Sequence, residues 1–204
     1  AFWRMGDQVA YDAMPPTRND AVEDVVFHDG FFSFLTDEEH IMACSPEFYQ
    51  DGDDPLSLWA TLRCFEPRDR GHDVFVRARY LVVSRGELLM VVRPHLPEED
   101  GNSSLVWYRY SWSELDTLGG RMLFVGRGCS RSYETADYPG SKDGIYFVDD
   151  RSFYDEQIMF RGVDERQYPC SDTGKWTQGP PPNVERFFPE QGPSNHSSPA
   201  WLLP

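Results

Sequence analysis

Apolar residues come in short runs, most of them set off by glycine or by polar clusters, and almost nowhere at helical spacing. Val25-Val26-Phe27, then His28-Asp29-Gly30, then Phe31 to Leu35 predicts a hairpin, because Asp-Gly supplies the left-handed residues of a tight two-residue turn. Ile41 to Cys44 predicts a third short strand. From Val74 to Ser84 the period is two: Val74, Val76, Ala78, Tyr80 and Val82 share one face. Phe75, Arg77, Arg79, Leu81 and Val83 share the other, which the arginines make half-wet. Arg85-Gly86 predicts a turn, and Glu87 to Arg93 the returning strand. A polar loop from Pro94 to Ser104 precedes an aromatic strand from Leu105 to Trp112. Ser113 to Asp116 predicts one helical turn capped by Ser113 and ended by Gly119-Gly120. Met122 to Val125 and Ile145 to Val148 predict two further strands, joined by a loop from Gly126 to Gly144.

Three units therefore share the order apolar strand, glycine turn, apolar strand, with turn glycines at Gly30, Gly86 and Gly120, 56 and 34 residues apart. Regular propeller blades take about 40–50 residues, which these spacings bracket without repeating. Periodicity alone leaves an irregular β-propeller and a β-sandwich both open. The end of the chain differs, since eight of the 16 prolines lie between Pro169 and Pro204 and Pro180-Pro181-Pro182 does not fit inside a sheet. The expected division is a strand-bearing segment, 1–160, and a Pro-rich tail, 161–204, extended and partly disordered, whose apolar Trp201-Leu202-Leu203 docks back.

Aromatic residues make up 15% of the chain, which suits strands, and the 40% hydrophobic share is enough for a core. A net charge of -15 argues against phosphate-backbone binding, and so against nucleic acid and anionic membrane surfaces; it permits a basic protein partner, although solubility alone is the stronger reading. No apolar run approaches the roughly 18 residues of a membrane span. The chain starts at Ala1 with neither a methionine nor a signal peptide, and reads as part of a longer protein. Cys44, Cys64, Cys129 and Cys170 are too dispersed for a zinc pair and fit reduced thiols of the cytosol or nucleus. Asn102-Ser103-Ser104 and Asn195-His196-Ser197 match the glycosylation pattern, which is short enough to arise by chance.

Candidate chemistry is sparse. Gly126-Arg127-Gly128-Cys129-Ser130 has the look of an anion loop, but no Lys-Ser or Lys-Thr follows and Thr135 stands where a cysteine phosphatase needs arginine. A tight strand exit that uses glycine freedom is the stronger reading. Asp149-Asp150 closes a strand, where adjacent carboxylates point apart, so it reads as a solvated turn. Asp51-Gly52-Asp53-Asp54 lacks the twelfth-position glutamate of a calcium loop, since Leu62 stands there. His28, His40, His72, His95 and His196 show no ligand spacing. No G-x-S-x-G elbow supports a catalytic triad. Trp107, Tyr108, Tyr110 and Trp112 could form a stacking platform, with core the better reading for Trp107. No catalytic, cofactor-binding or metal residue is assigned, and the chain is read as a binding protein rather than an enzyme.

Several segments together resemble one family. Trp112 to Gly126 is similar to its central signature, a tryptophan leading through a Leu-Gly turn into a strand that ends in glycine. Cys129-Ser130, Tyr138-Pro139-Gly140 and Ile145 to Asp150 continue it in order, and Phe2 to Asp7 resembles its earlier F-x-R-x-G-D turn. Val25 to Leu35 resembles its hairpin, and Pro199 to Pro204 its closing P-x-W-x-x-P. The family is the plant F-box-associated one labelled as a domain of unknown function, DUF 295, also described as a KIB-type β-propeller. Met5 stands where the family commonly has proline, Gly144 where cysteine is frequent, and the stretch from Arg161 to Ser198 matches weakly.

The resemblance implies an irregular, kelch-like β-propeller, here partial at roughly three to four blades against the 4–8 of a closed ring. It implies a target-recruiting role, in which an N-terminal F-box docks a Skp-type adaptor of a cullin–RING (SCF) ubiquitin ligase and the propeller holds the target protein. These 204 residues contain no F-box. The alternatives are a propeller without an F-box that binds a protein or small ligand on its own, and an eroded paralogue.

Overall fold

Two glycine-tipped hairpins set the frame. Strand β1, Val22–His28, pairs with β2, Phe31–Thr36, and β5, Val76–Ser84, pairs with β6, Glu87–Pro94. At the first turn Asp29 and Gly30 have φ of 51° and 81°, and at the second Arg85 and Gly86 have φ of 53° and 73°. Left-handed residues at both central positions match the twist of the strands they join, as Asp-Gly and Arg-Gly predicted. The computed structural model describes residues 21–46, 58–63, 65, 76–94, 112–113, 115–150, 167–177, 183–186 and 192–203. The turn from Phe2 to Asp7, the run Asp51 to Asp54, Cys64, His72, Val74-Phe75, the loop from His95 to Ser104, the aromatic strand up to Ser111 and Pro180 to Pro182 lie outside them.

The first hairpin extends through β3, Ile41–Pro46, and β4, Leu58–Arg63, into a four-stranded antiparallel meander. The β5–β6 hairpin forms a second sheet. The third has five strands in the order β11-β10-β9-β7-β8, where β7 is Arg121–Val125, β8 Arg131–Glu134, β9 Gly144–Phe147, β10 Gly174–Thr177 and β11 Asn183–Glu185. All its neighbours are antiparallel except β7 and β9. The protein is thus all-β, a partial, irregular propeller of packed sheets.

The β5–β6 hairpin is the middle layer, packed on both faces. Ala78, Tyr80, Val82, Leu89 and Val91 pack against Leu123, Val125, Ile145, Phe147 and Trp176 of the five-stranded sheet. Leu81, Met90 and Val92 pack against Leu35, Ile41 and Trp112 on the other side. The second face of β5 is half-buried, as expected: Leu81 is in the core, Arg79 and Val83 are partly exposed, and Arg79 is paired with glutamates of the neighbouring sheet. A β-bulge between Val76 and Ala78 breaks the alternation. Val76 joins the Leu81 side while Arg77 reaches Asp172 on the other, the re-aiming a bulge provides.

Four expectations change. Ser113, Leu115 and Asp116 are irregular rather than a helical turn, since Trp112 is anchored in the core and its Nε1–H donates to the Glu39 carbonyl at 2.9 Å. Gly120 does not tip a hairpin; it enters β7, and its carbonyl accepts from the Thr135 amide at 2.8 Å. The stretch from Gly126 to Gly144 is not all loop, because β8 pairs along β7 and a 3-10 turn, Thr135–Asp137, follows it. The tail is not separate from the sheet. Its β10 and β11 extend the five-stranded sheet, Trp176 stacks on Phe147 at 4.2 Å, and Tyr168 bridges Ser194. Trp201 docks back: its Nε1–H donates to the Val125 carbonyl at 2.8 Å and its ring meets Phe124 edge-on at 5.1 Å. Gly126 makes room for that ring, since a Cβ there would sit 3.2 Å from Trp201 and 2.9 Å from the Cys129 sulfur.

Candidate functional site

The polar residues of this propeller collect where its sheets meet. A bulge at Glu23 places two successive carboxylates of β1 at the β5 junction. Asp24, only 2% exposed, accepts from the Leu81 amide of β5 at 2.7 Å and from the Gly128 amide of the β7–β8 turn at 2.6 Å. It also accepts from the Val25 amide at 2.8 Å. One carboxylate therefore ties all three sheets. Burial pushes its pKa up to about 6, against the opposing pull of the Gly128, Leu81 and Val25 amides and of Arg127. Beside it, Glu23 and Glu39 grip Arg79 at 2.8 and 2.9 Å. Burial raises Glu23 above the usual carboxylate range, with Arg79 pulling it back. Glu39 holds a left-handed φ of 67° at the β2–β3 turn. Its side chain is fixed by Arg79 and its carbonyl by Trp112, so the surrounding contacts impose the unusual backbone.

A second junction lies between β5–β6 and the end of β9. Asp149 and Asp150 are 0% and 2% exposed, which corrects the solvated turn expected there. They lie just past β9 and have different direct partners. Asp149 accepts from the Asp172 amide at 2.8 Å, whereas Asp150 accepts from the Tyr80 hydroxyl and faces Arg93 at 3.4 Å. Arg93 also bonds Asp172, which pairs with Arg77 at 3.0 Å, and its guanidinium lies over the Phe147 ring at 4.6 Å. Arg186 adds a fourth edge, 3.6 Å from Asp172.

Burial raises the Asp150 pKa to about 7, with Arg77 opposing the rise and the carboxylates of Asp172 and Asp24 adding to it. A carboxyl whose folded pKa exceeds its unfolded one contributes stability that is complete below about pH 4 and lost as pH rises through the folded value. Asp24 and Asp150 should together make unfolding easier as pH climbs from 5 to 8. Thermal melts of Asp150→Asn across that window should show a flatter dependence than the parent, and an unchanged slope would rule Asp150 out as its source.

The Gly126 to Ser130 stretch is a tight strand exit: the Cys129 amide bonds the Gly126 carbonyl at 3.0 Å and Gly128 has φ of 68°. Arg127 serves as a latch, donating to the Val22 carbonyl at 2.6 Å and to the Glu23 carbonyl. His40 is buried and its Nδ1 accepts from the Phe65 amide at 3.2 Å, while His28 Nε2 meets the Gly86 carbonyl at 3.2 Å. Among the described residues, Cys44, Cys129 and Cys170 are free thiols, and burial raises that of Cys44. No three His, Cys, Asp or Glu among those residues converge at metal-binding distance.

Two hollows among the described residues open on the surface. One, of about 380 Å³, lies under the C-terminal segment between Arg127, Cys129, Asp150 and His196. The other, of about 350 Å³, separates the tips of the two hairpins and is lined by Phe31, Phe65, Leu88 and Trp112. Of the residues weighed from sequence, Arg127, Cys129 and Asp150 line the first and Trp112, from the possible stacking platform, lines the second. Phe31 offered a signal, since an aromatic residue directly after a two-residue turn sits where a strand end is least covered.

The described polar side chains thus act mainly as staples between sheets, and the open surfaces are left to loops and hairpin tips. Comparison with known proteins agrees with that architecture. Residues 1–171 match the KIB1-4 β-propeller family. An F-box/kelch-repeat protein of Arabidopsis thaliana is 28% identical over 149 residues, which are 71% of this chain and 38% of that protein. The chain therefore spans well under half the length of this curated relative. No solved structure matches. By the extent of the family match, this chain belongs to the KIB1-4 β-propeller family.

Proposed function

We propose that the chain is the target-holding propeller of a plant F-box-type protein of the DUF 295 kind, which brings a protein to a cullin–RING ubiquitin ligase. The observation that carries the reading is the family match over residues 1–171, whose curated relative is an F-box/kelch-repeat protein. The architecture supports a binding role, because the buried charges are spent on joining blades and the hairpin tips remain accessible. The Skp-type adaptor would dock on an F-box outside these 204 residues. The reading needs no catalytic residue and no cofactor, and it places the protein in the cytoplasm or nucleus.

Affinity capture from plant extract with the full-length coding sequence, read by mass spectrometry, tests it. A Skp-type adaptor and a cullin should be recovered with a target protein. A folded bait that recovers neither would sink the ligase reading and leave a free-standing binding propeller or an eroded one.

A further inference from the structure

Resting on the reading of the chain as a protein-binding module, we propose that the hollow between the hairpin tips is its recognition groove. Its occupant would be an apolar side chain of a partner protein with a lysine or arginine beside it. The groove is a continuation of the core. The face of β1–β3 that packs Leu35 and Ile41 against Leu81, Met90 and Val92 runs on toward the turns as His28, Phe31, Ser33 and Ala43. There the facing hairpin offers only Gly86, Glu87 and Leu88, and the sheets part. Trp112 and Phe65, tilted against each other with ring centroids 4.7 Å apart, stand at the inner end.

The width is set rather than accidental, because the His28 ring bridges to the Gly86 carbonyl across the two tips at 3.2 Å. Phe31 remains 41% exposed at the mouth, one of few large apolar side chains so exposed among the described residues. The hollow, about 350 Å³, sits just above the roughly 300 Å³ at which ligand pockets begin, room for one or two side chains.

Charge selects the neighbour of that apolar side chain. Asp29, 84% exposed, and Glu87 line the rim, and among the described residues no lysine or arginine lines it. Arg85 at the neighbouring tip turns to Glu134 and the Gly119 carbonyl, and Arg121 lies 3.9 Å from Glu87, which leaves Asp29 as the more exposed rim carboxylate. The chain as a whole carries -15, so a basic segment is drawn in while an acidic one is repelled.

A random-peptide library displayed on phage and panned against the full chain tests the proposal, with enriched peptides resynthesised and measured by fluorescence anisotropy. They should share an apolar residue adjacent to lysine or arginine. Affinity should fall about tenfold or more in Phe31→Glu. The double variant Asp29→Asn, Glu87→Gln should weaken binding and blunt its salt dependence. That pair keeps size and hydrogen-bonding shape, so it decides the matter if Phe31→Glu lowers the melting temperature. Failure to enrich, peptides without the basic-apolar signature, or binding indifferent to both variants would overturn the groove. So would self-association of the parent that Phe31→Glu abolishes, which would assign the groove to a second copy of this chain. Affinity capture run in parallel separates the two readings. Adaptor and cullin recovered without groove-dependent peptides would remove the groove alone, and groove-dependent peptides without adaptor would remove the ligase role alone.

Discussion

Replacing Asp24 with alanine should lower the unfolding free energy by about 2–4 kcal/mol, the range expected when buried amides lose a shared acceptor. The Leu81 amide would be left in a dry junction and the Gly128 amide would lose its tie to β1. The loss should exceed that of an ordinary buried hydrogen bond because one side chain serves three sheets. Asp24→Asn keeps one acceptor oxygen but presents an N–H₂ to an amide, so it should fall between alanine and the parent. Urea denaturation at pH 7 checks this. If the alanine variant unfolds within about 0.5 kcal/mol of the parent, the size of a neutral surface change, Asp24 does not staple the blades.

The second large effect belongs to Arg93. Arg93→Met keeps much of the apolar bulk over Phe147 and Trp176 but removes the cation that faces Asp150 and Asp172. Stripping a buried carboxylate of its partner costs about 3–5 kcal/mol, and here the loss should be smaller because Arg77 and Arg186 still pair with Asp172 and Tyr80 still bonds Asp150. Here the cost should depend on pH in a defined direction. Asp150 already titrates at about 7, and loss of a nearby cation moves it higher. At pH 5 the carboxyl takes up a proton and the penalty shrinks, whereas at pH 8 it is close to complete. Chemical denaturation of parent and variant at both values should show the larger difference at pH 8. Equal differences would mean that Asp150 does not change its charge between pH 5 and pH 8.

Strands that alternate apolar residues around a glycine turn were legible from sequence. That covers the β1–β2 and β5–β6 hairpins, while β3, β7 and β9 were legible as short apolar runs alone. The strand β4 carries apolar residues at Leu58, Ala60 and Leu62, but the acidic Asp51 to Asp54 run before it drew the reading toward a calcium loop rather than toward pairing with β3. Strands β8, β10 and β11 are three or four residues long and largely polar, held by backbone pairing that leaves no periodic trace. Prolines drew attention away from Trp176, the residue that roots the end of the chain in the core. Asp149-Asp150 looked solvated because its partners, Tyr80, Arg93 and Asp172, lie 23 to 70 positions away in sequence. The groove was hidden for the same reason, since it exists only where two separate hairpins approach.

An architecture of this kind suits a recruiter. Charges buried at the blade junctions hold the sheets in register, while the hairpin tips can vary with the partner at little cost to the fold. The central claim, that the propeller brings a protein to a ubiquitin ligase, is tested most directly by the lifetime of the protein it captures. In plant cells carrying the full-length protein, the captured target should be short-lived. It should accumulate when the gene is removed and equally when cullin activity is blocked. A target whose half-life is the same with and without this protein would contradict the account, however tightly the two bind.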